Sequence, residues 1–175
     1  MTRFLFVFFV LLAGKHADAQ NIYAFSITTV KDSVVNLSSY QGKQILIVNT
    51  SLSGSRVGQY RQLDSLQQRF KDSGLIIIAI ATKAFDNTLT NNNQLLALYN
   101  NLNLSYPLSK MMKVNGAQPD PLYEWLTKKI KNGLVDAPVA GDFSKYLIDG
   151  YGNFKGVFSG RLEPTHSIVV DALGY

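Results

Sequence analysis

The sequence contains no cysteine, and this absence limits both its stability and its chemistry. A chain without cysteine forms no disulfide in any compartment, so its stability comes from packing and hydrogen bonding. The absence also excludes thiolate nucleophiles and thiol–disulfide exchange. Any function must therefore rest on other side chains.

Histidine and charged residues are also scarce. The chain has two histidines, His16 and His166, and charged residues make up 17% of its 175 residues. One histidine outside the first twenty residues and scattered carboxylates give no metal-ligand spacing, so we expect neither a metal nor a cofactor. The net charge of +5 is spread along the chain, and its densest cluster, Lys128, Lys129 and Lys131, falls at a predicted helix end. We expect no nucleic-acid surface.

Long apolar runs are few, and the first of them resembles an export signal. Arg3 precedes the apolar run 4–13, and Ala17-Asp18-Ala19 follows with the A-x-A pattern of a cleavage site. A membrane span needs about 20 apolar residues, roughly twice this run. We therefore predict a signal peptide at 1–19, one domain at 20–175 and export to the periplasm or the cell exterior. We expect no stable membrane insertion after cleavage.

Two further apolar runs frame the predicted core. Residues 44–48 and 75–81 are rich in branched side chains, which is typical of strands buried on both faces. Between them, the apolar residues of 59–70 recur at helical spacing, and Gly74 follows as a stop signal. The pattern predicts a β-α-β unit with two parallel strands.

The remaining elements follow in chain order. We predict a hairpin within 23–37, a loop at 86–93, helices at 95–102 and 121–130, strands at 143–148 and 153–158, and a terminal helix at 164–173. Together with the β-α-β unit, this order predicts an α/β, thioredoxin-like fold of three layers. Its central mixed sheet is flanked by helices and supplemented by an N-terminal hairpin and a helical insertion.

Several segments, in order and spacing, resemble the glutathione peroxidase family. They are residues 22–26, 37–49, 106–108, 114–116, 121–126 and 143–149. The resemblance implies the thioredoxin-like fold with a helical insertion. It also implies the family's activity, which is the reduction of hydroperoxides in the oxidative-stress response by a cysteine or selenocysteine, assisted by a glutamine, a tryptophan and an asparagine.

The resemblance places these four catalytic functions on residues that cannot perform them. Gly54 stands at the peroxidatic position, Ala84 at the glutamine, and Gly141 and Asp142 at the tryptophan and asparagine. Glycine and alanine offer no hydrogen-bonding side chain, and an ionised aspartate accepts where an amide donated. The resemblance therefore implies a degenerate member without peroxidase activity. A selenocysteine written as another letter would restore one position and leave three unexplained.

Polar neighbours of these positions form a candidate residual cleft: Ser53, Ser55, Arg56 and Lys83. A serine nucleophile needs a positioned base, and beyond the predicted signal peptide the sequence offers only His166 and no G-x-S-x-G motif. Arg56 either holds an anion near the following helix start or remains solvated. We interpret Asp142 as a turn or capping residue.

Two functions remain open. The first is a binding or interaction module for an unknown small molecule or protein. In it, the site that lacks the family's catalytic residues makes no catalytic contribution. The second is an enzyme of another kind that reuses the old cleft, or a residual role in oxidative stress. The sequence identifies no ligand for either function.

Overall fold

The computed structural model describes residues 21–175. The predicted signal peptide, residues 1–19, lies outside the described residues. The strands are β1 (Ser26–Thr28), β2 (Val34–Asn36), β3 (Gln44–Thr50), β4 (Leu75–Ala81), β5 (Lys145–Ile148) and β6 (Phe154–Phe158). The α-helices are α1 (Gln59–Phe70), α2 (Asn92–Leu102), α3 (Pro121–Thr127), α4 (Lys129–Asn132) and α5 (Ser167–Leu173).

The central sheet has the strand order β4-β3-β5-β6. β3 pairs parallel with β4 and antiparallel with β5, and β5 pairs antiparallel with β6. β1 and β2 form a separate hairpin, and bridges at Thr29–Ser109 and Ala79–Leu108 link it to the edge of β4. The thioredoxin-like α/β prediction, with its mixed sheet, N-terminal hairpin and helical insertion, is confirmed.

Alternating side chains of β3 separate the core into two layers, one on each face of the sheet. Leu46 and Val48 join a cluster with α1 and α2, whereas Ile45 and Ile47 join a cluster with α3 and the N-terminal segment. Tyr123 and Trp125 of α3 are buried in the second cluster. Both faces of the sheet are therefore covered.

A buried glutamine ties α1 to the sheet. Gln67 donates from Nε2 to the Leu75 carbonyl at 2.8 Å and accepts from the Ile77 amide at 2.7 Å. The amide side chain thus satisfies two backbone groups of β4 that face the helix. These two hydrogen bonds hold α1 against β4.

The predicted helix at 121–130 is wrong as a single element. It divides at Lys128, whose backbone is extended with φ −115° and ψ 122°. The Thr127 carbonyl would pair with the Lys131 amide in a continuous helix, but it accepts from the Ala137 amide at 2.9 Å instead. The hydrogen bond from Ala137 thus replaces the one that would continue the helix, and α3 ends at Thr127.

Other boundaries also differ from the sequence prediction: β3 extends to Thr50 and α2 begins at Asn92, inside the predicted loop. The strand predicted at 143–148 begins at Lys145, because Phe143 has a φ of +56° that a strand does not contain. The helix predicted at 164–173 begins at Ser167, where His166 caps it by accepting from the Ile168 amide at 3.2 Å. Within residues 21–175, none of the helices combines the length and the apolar character that crossing a bilayer requires.

Candidate functional site

Three loops meet at one edge of the sheet, beyond the carboxyl ends of β3 and β4. They are residues 51–58, 82–91 and 141–144, the last of which leads into β5. Buried Asn49 at the end of β3 joins two of them. Its side-chain amide donates to the Gly141 carbonyl, and its own carbonyl accepts from the Phe143 amide, both at 2.6 Å. The candidate site lies where these loops converge.

Gly54, at the position that the resemblance assigns to the peroxidatic residue, has a backbone conformation suited to glycine. Its φ is +99°, which L side chains rarely adopt. A Cβ atom built there would lie 3.8 Å from Oδ2 of Asp142. A side chain at this position would therefore be strained and would point towards a carboxylate.

Asp142 is the centre of a charged network rather than a turn or capping residue. Its Oδ1 pairs with Arg56 Nη1, and its Oδ2 accepts from the Ser51 hydroxyl at 3.1 Å. The Asp142 side chain is 11% exposed and the Arg56 side chain 32% exposed. Neither sequence alternative for Arg56, a bound anion or full solvation, describes this ion pair.

Asp86, which sequence reasoning assigned only to a loop, organises the degenerate segment. Its Oδ2 accepts from the amides of Leu52 and Ser53 at 2.6 and 2.8 Å. Its Oδ1 accepts from the Ser53 hydroxyl and from the amide and hydroxyl of Thr88, at 3.0, 2.8 and 2.6 Å. The Asp-Asn-Thr sequence is a local turn signal, but it does not reveal the partners at 52 and 53.

These hydrogen bonds determine the ionisation of Asp86. Burial acts to raise the pKa, but the donors on Thr88 and Ser53 outweigh it and lower the pKa to about 2. Each donor stabilises the charged form more than the neutral form. The carboxylate is therefore ionised at neutral pH.

A buried lysine lies behind the ion pair. Lys145 is fully buried, and its Nζ donates to Gln59 Oε1 at 2.9 Å and to the carbonyls of Phe143 and Leu162 at 2.8 and 2.7 Å. Burial, with a further contribution from the charge of Arg56, lowers the pKa of Lys145 to about 8. All three ammonium protons have acceptors, so Lys145 links α1, β5 and the loop after β6.

A groove of about 1000 Å³ opens beside the degenerate loop. Its lining comes from the segments 82–90 and 111–115, and it includes Lys83, Ala84 and Asp86. Gly54 and Asp142 are not among the lining residues. The structure thus divides the predicted cleft into a closed charged network around Asp142 and an open groove that contains Lys83 and Ala84.

The arrangement provides no activated serine. The Ser53 hydroxyl donates to Asp86, and Ser55 is exposed on the loop. His166, the one histidine of residues 21–175, uses Nδ1 to cap α5. Residues 21–175 contain no group of three or more histidines or carboxylates placed to hold a metal ion. The structure therefore positions no histidine base for either serine.

Replacement of Asp86 tests its role in the loop. Asp86→Asn removes a stabilisation that is complete above about pH 5 and is lost as the pH falls towards 2, because the pKa is lower in the folded state. We expect the free energy of unfolding at pH 7 to fall by about 2 kcal/mol, measured by urea denaturation. The stability loss of the native chain between about pH 5 and pH 2 should also be shallower in the variant.

The control is Asp72→Asn, at an exposed aspartate after α1. Its stability should stay within about 0.5 kcal/mol of the native chain. Equal losses in the two variants would contradict a specific role for Asp86.

Comparisons with known proteins identify the family of this chain. The family model described as glutathione peroxidase matches residues 22–127. A glutathione peroxidase of Lactococcus lactis subsp. cremoris is 31% identical over 146 residues, which cover 82% of this chain and 92% of that protein. A probable phospholipid hydroperoxide glutathione peroxidase of Helianthus annuus is 35% identical over 132 residues, covering 74% of this chain and 73% of the relative.

Solved structures show the same fold. The crystal structure of Trgpx in apo form has a TM-score of 0.68 at 26% identity and covers 90% of this chain and 97% of its own. The crystal structure of T. cruzi GPX1 has a TM-score of 0.66 at 22% identity, with coverages of 89% and 97%. Sequence and fold agree, and the chain belongs to the glutathione peroxidase family.

Proposed function

We propose that this protein is a binding module of the glutathione peroxidase family that has no peroxidase activity. The observation that carries the proposal is Gly54, which has no side chain and has a φ of +99° beside the Asp142 carboxylate. Cleavage of an O–O bond in this family needs a thiolate or selenolate with donors near the departing oxygen. Gly54 supplies no such atom, and Asp142 supplies negative charge instead of a donor.

The charges around position 54 would oppose the recovery of peroxidase activity by a single substitution to cysteine. A thiol at position 54 would lie beside the carboxylate of Asp142, and a neighbouring negative charge raises a thiol pKa and so reduces the thiolate fraction. The positive φ adds a backbone strain of about 1 kcal/mol for any side chain with a Cβ atom. The loss of activity therefore involves the backbone and the local field as well as the missing sulfur.

We expect the native chain to consume no hydroperoxide with glutathione or thioredoxin as the donor, in an assay that includes the Lactococcus lactis relative. Gly54→Cys should remain nearly inactive. Gly54→Cys combined with Asp142→Asn should have a thiol pKa at least one unit lower than the single variant, as measured by the pH dependence of alkylation. Turnover by the native chain at a rate comparable to the relative, or selenium in its mass spectrum, would overturn the proposal.

The binding role rests on the groove. Its volume of about 1000 Å³ is at the upper end of the range of small-molecule sites, about 300 to 1000 Å³. Met111, Met112 and Leu89 give it apolar contacts, and Lys83 and Lys113 add positive charge. The combination of apolar surface with a few polar groups suits a small ligand with an apolar portion.

A groove-filling variant tests this assignment. Small carboxylic acids that carry an apolar portion, taken from a fragment library, should shift the amide resonances of Lys83, Asn87 and Lys113. Ala84→Trp places a large side chain in the groove and should weaken the best fragment by at least about tenfold. Ala140→Trp changes another exposed alanine outside the groove lining and should leave the affinity unchanged. Equal affinities in both variants would rule out the groove as the site.

We propose in addition that the protein is exported to the periplasm or the cell exterior. The support is the sequence of residues 1–19, with Arg3, the apolar run and the A-x-A pattern. Intact mass measurement on protein from the exported fraction should give a chain that begins at Gln20. Ala19→Asp should block this processing, because cleavage sites require a small residue there. Detection of the chain only in the cytoplasm, with residues 1–19 retained, would contradict export.

A further inference from the structure

The dipeptide Asn-Gly occurs twice in the chain, at Asn115-Gly116 and at Asn132-Gly133. The backbone nitrogen of a glycine can approach the preceding side chain closely, because glycine has no Cβ atom to obstruct it. The two glycines also share a backbone conformation, with φ values of +77° and +78°. A difference in behaviour between the two copies must therefore come from the hydrogen bonds around each.

Hydrogen bonds hold the second copy in place. The Asn132 side chain accepts from the amides of Leu134 and Val135 at 2.8 and 3.0 Å and donates to the Val135 carbonyl at 2.9 Å. The Gly133 amide donates to the Lys129 carbonyl at 2.8 Å. Both the side-chain amide of this asparagine and the backbone amide that follows it are therefore occupied in the folded chain.

The first copy lies on the wall of the groove without such bonds. Asn115 and Gly116 are exposed, and Asn115 belongs to the groove lining. Their loop is closed at its base, where the Asp120 amide donates to the Lys113 carbonyl at 2.8 Å. Across residues 21–175, neither the Asn115 side chain nor the Gly116 amide has a hydrogen-bond partner. The backbone around this asparagine is thus anchored while its side chain remains free to rotate.

We propose that Asn115 is a deamidation site that changes the charge of the groove wall as the protein ages. The Gly116 backbone nitrogen attacks Cγ of Asn115 and loses its proton, a C–N bond forms, and the side-chain nitrogen leaves as ammonia. Solvent water then opens the cyclic imide at either carbonyl and leaves aspartate or isoaspartate. A side chain that rotates freely reaches this attack geometry more often than one held by hydrogen bonds.

The product places a new negative charge in the groove. Lys83 and Lys113 line the same groove and favour acidic ligands, whereas a carboxylate at position 115 repels them. Deamidation would therefore weaken the binding of small carboxylic acids. This consequence rests on the proposed binding role of the groove, but the reaction at Asn115 does not, because it needs only the asparagine, the following glycine and water.

Incubation of the native protein at mildly alkaline pH, followed by peptide mass spectrometry, compares the two copies within one molecule. We expect Asn115 to deamidate at least about tenfold faster than Asn132. In guanidinium chloride, where the hydrogen bonds around Asn132 are lost, the two rates should agree to within about threefold. Equal rates in the folded protein would overturn the proposal. So would a tenfold difference that persists in guanidinium chloride, because the flanking sequence would then set the rates.

A pair of charge variants tests the effect on the groove. Asn115→Asp supplies the charge of the product and should weaken the best carboxylic-acid fragment by at least about threefold. Asn101→Asp adds the same charge at an exposed residue of α2 outside the groove lining and should leave the affinity unchanged. Equal affinities in both variants would contradict the charge effect. If no fragment binds the native chain, the proposed function fails, and the deamidation rates still decide the modification itself.

Discussion

The pairing of β3 with a parallel strand on one side and an antiparallel strand on the other brings three loops to one edge of the sheet. This pairing places the loop after β3, the loop after β4 and the segment before β5 next to one another. Asn49 fixes the arrangement, since it is fully buried and bonds across to Gly141 and Phe143. Every feature of the candidate site, whether open or closed, depends on this convergence.

At that convergence, the Asp142 carboxylate lies close to Gly54 and carries the charged network. Arg56 and Asp142 neutralise each other, and Lys145 lies behind them with neutral acceptors on all three protons. A buried ammonium is tolerated only when its hydrogen bonds are satisfied. The network is thus a structural element that joins α1, β5 and the loop after β6. The groove beside it remains open to solvent.

The sequence predicted the framework more fully than the site. Apolar runs at 44–48 and 75–81 reveal buried strands, because the pattern is local. The division of the helix at Lys128 depends on the Ala137 amide, which competes for the Thr127 carbonyl only after the chain returns. The pairing of Arg56 with Asp142 joins residues separated by 86 positions. Single-sequence patterns carry no signal for such long-range partners.

The position of Asp86 has a consequence for motion. Its two oxygens accept hydrogen bonds from the backbone amides of Leu52 and Ser53 and from the amide of Thr88 in the following turn. Asp86 also lines the groove. The wall of the groove and the exposed loop around Gly54 are therefore joined through the Asp86 carboxylate. Displacement of the Asp86 carboxylate from its present position would therefore break hydrogen bonds to Leu52, Ser53 and Thr88 together.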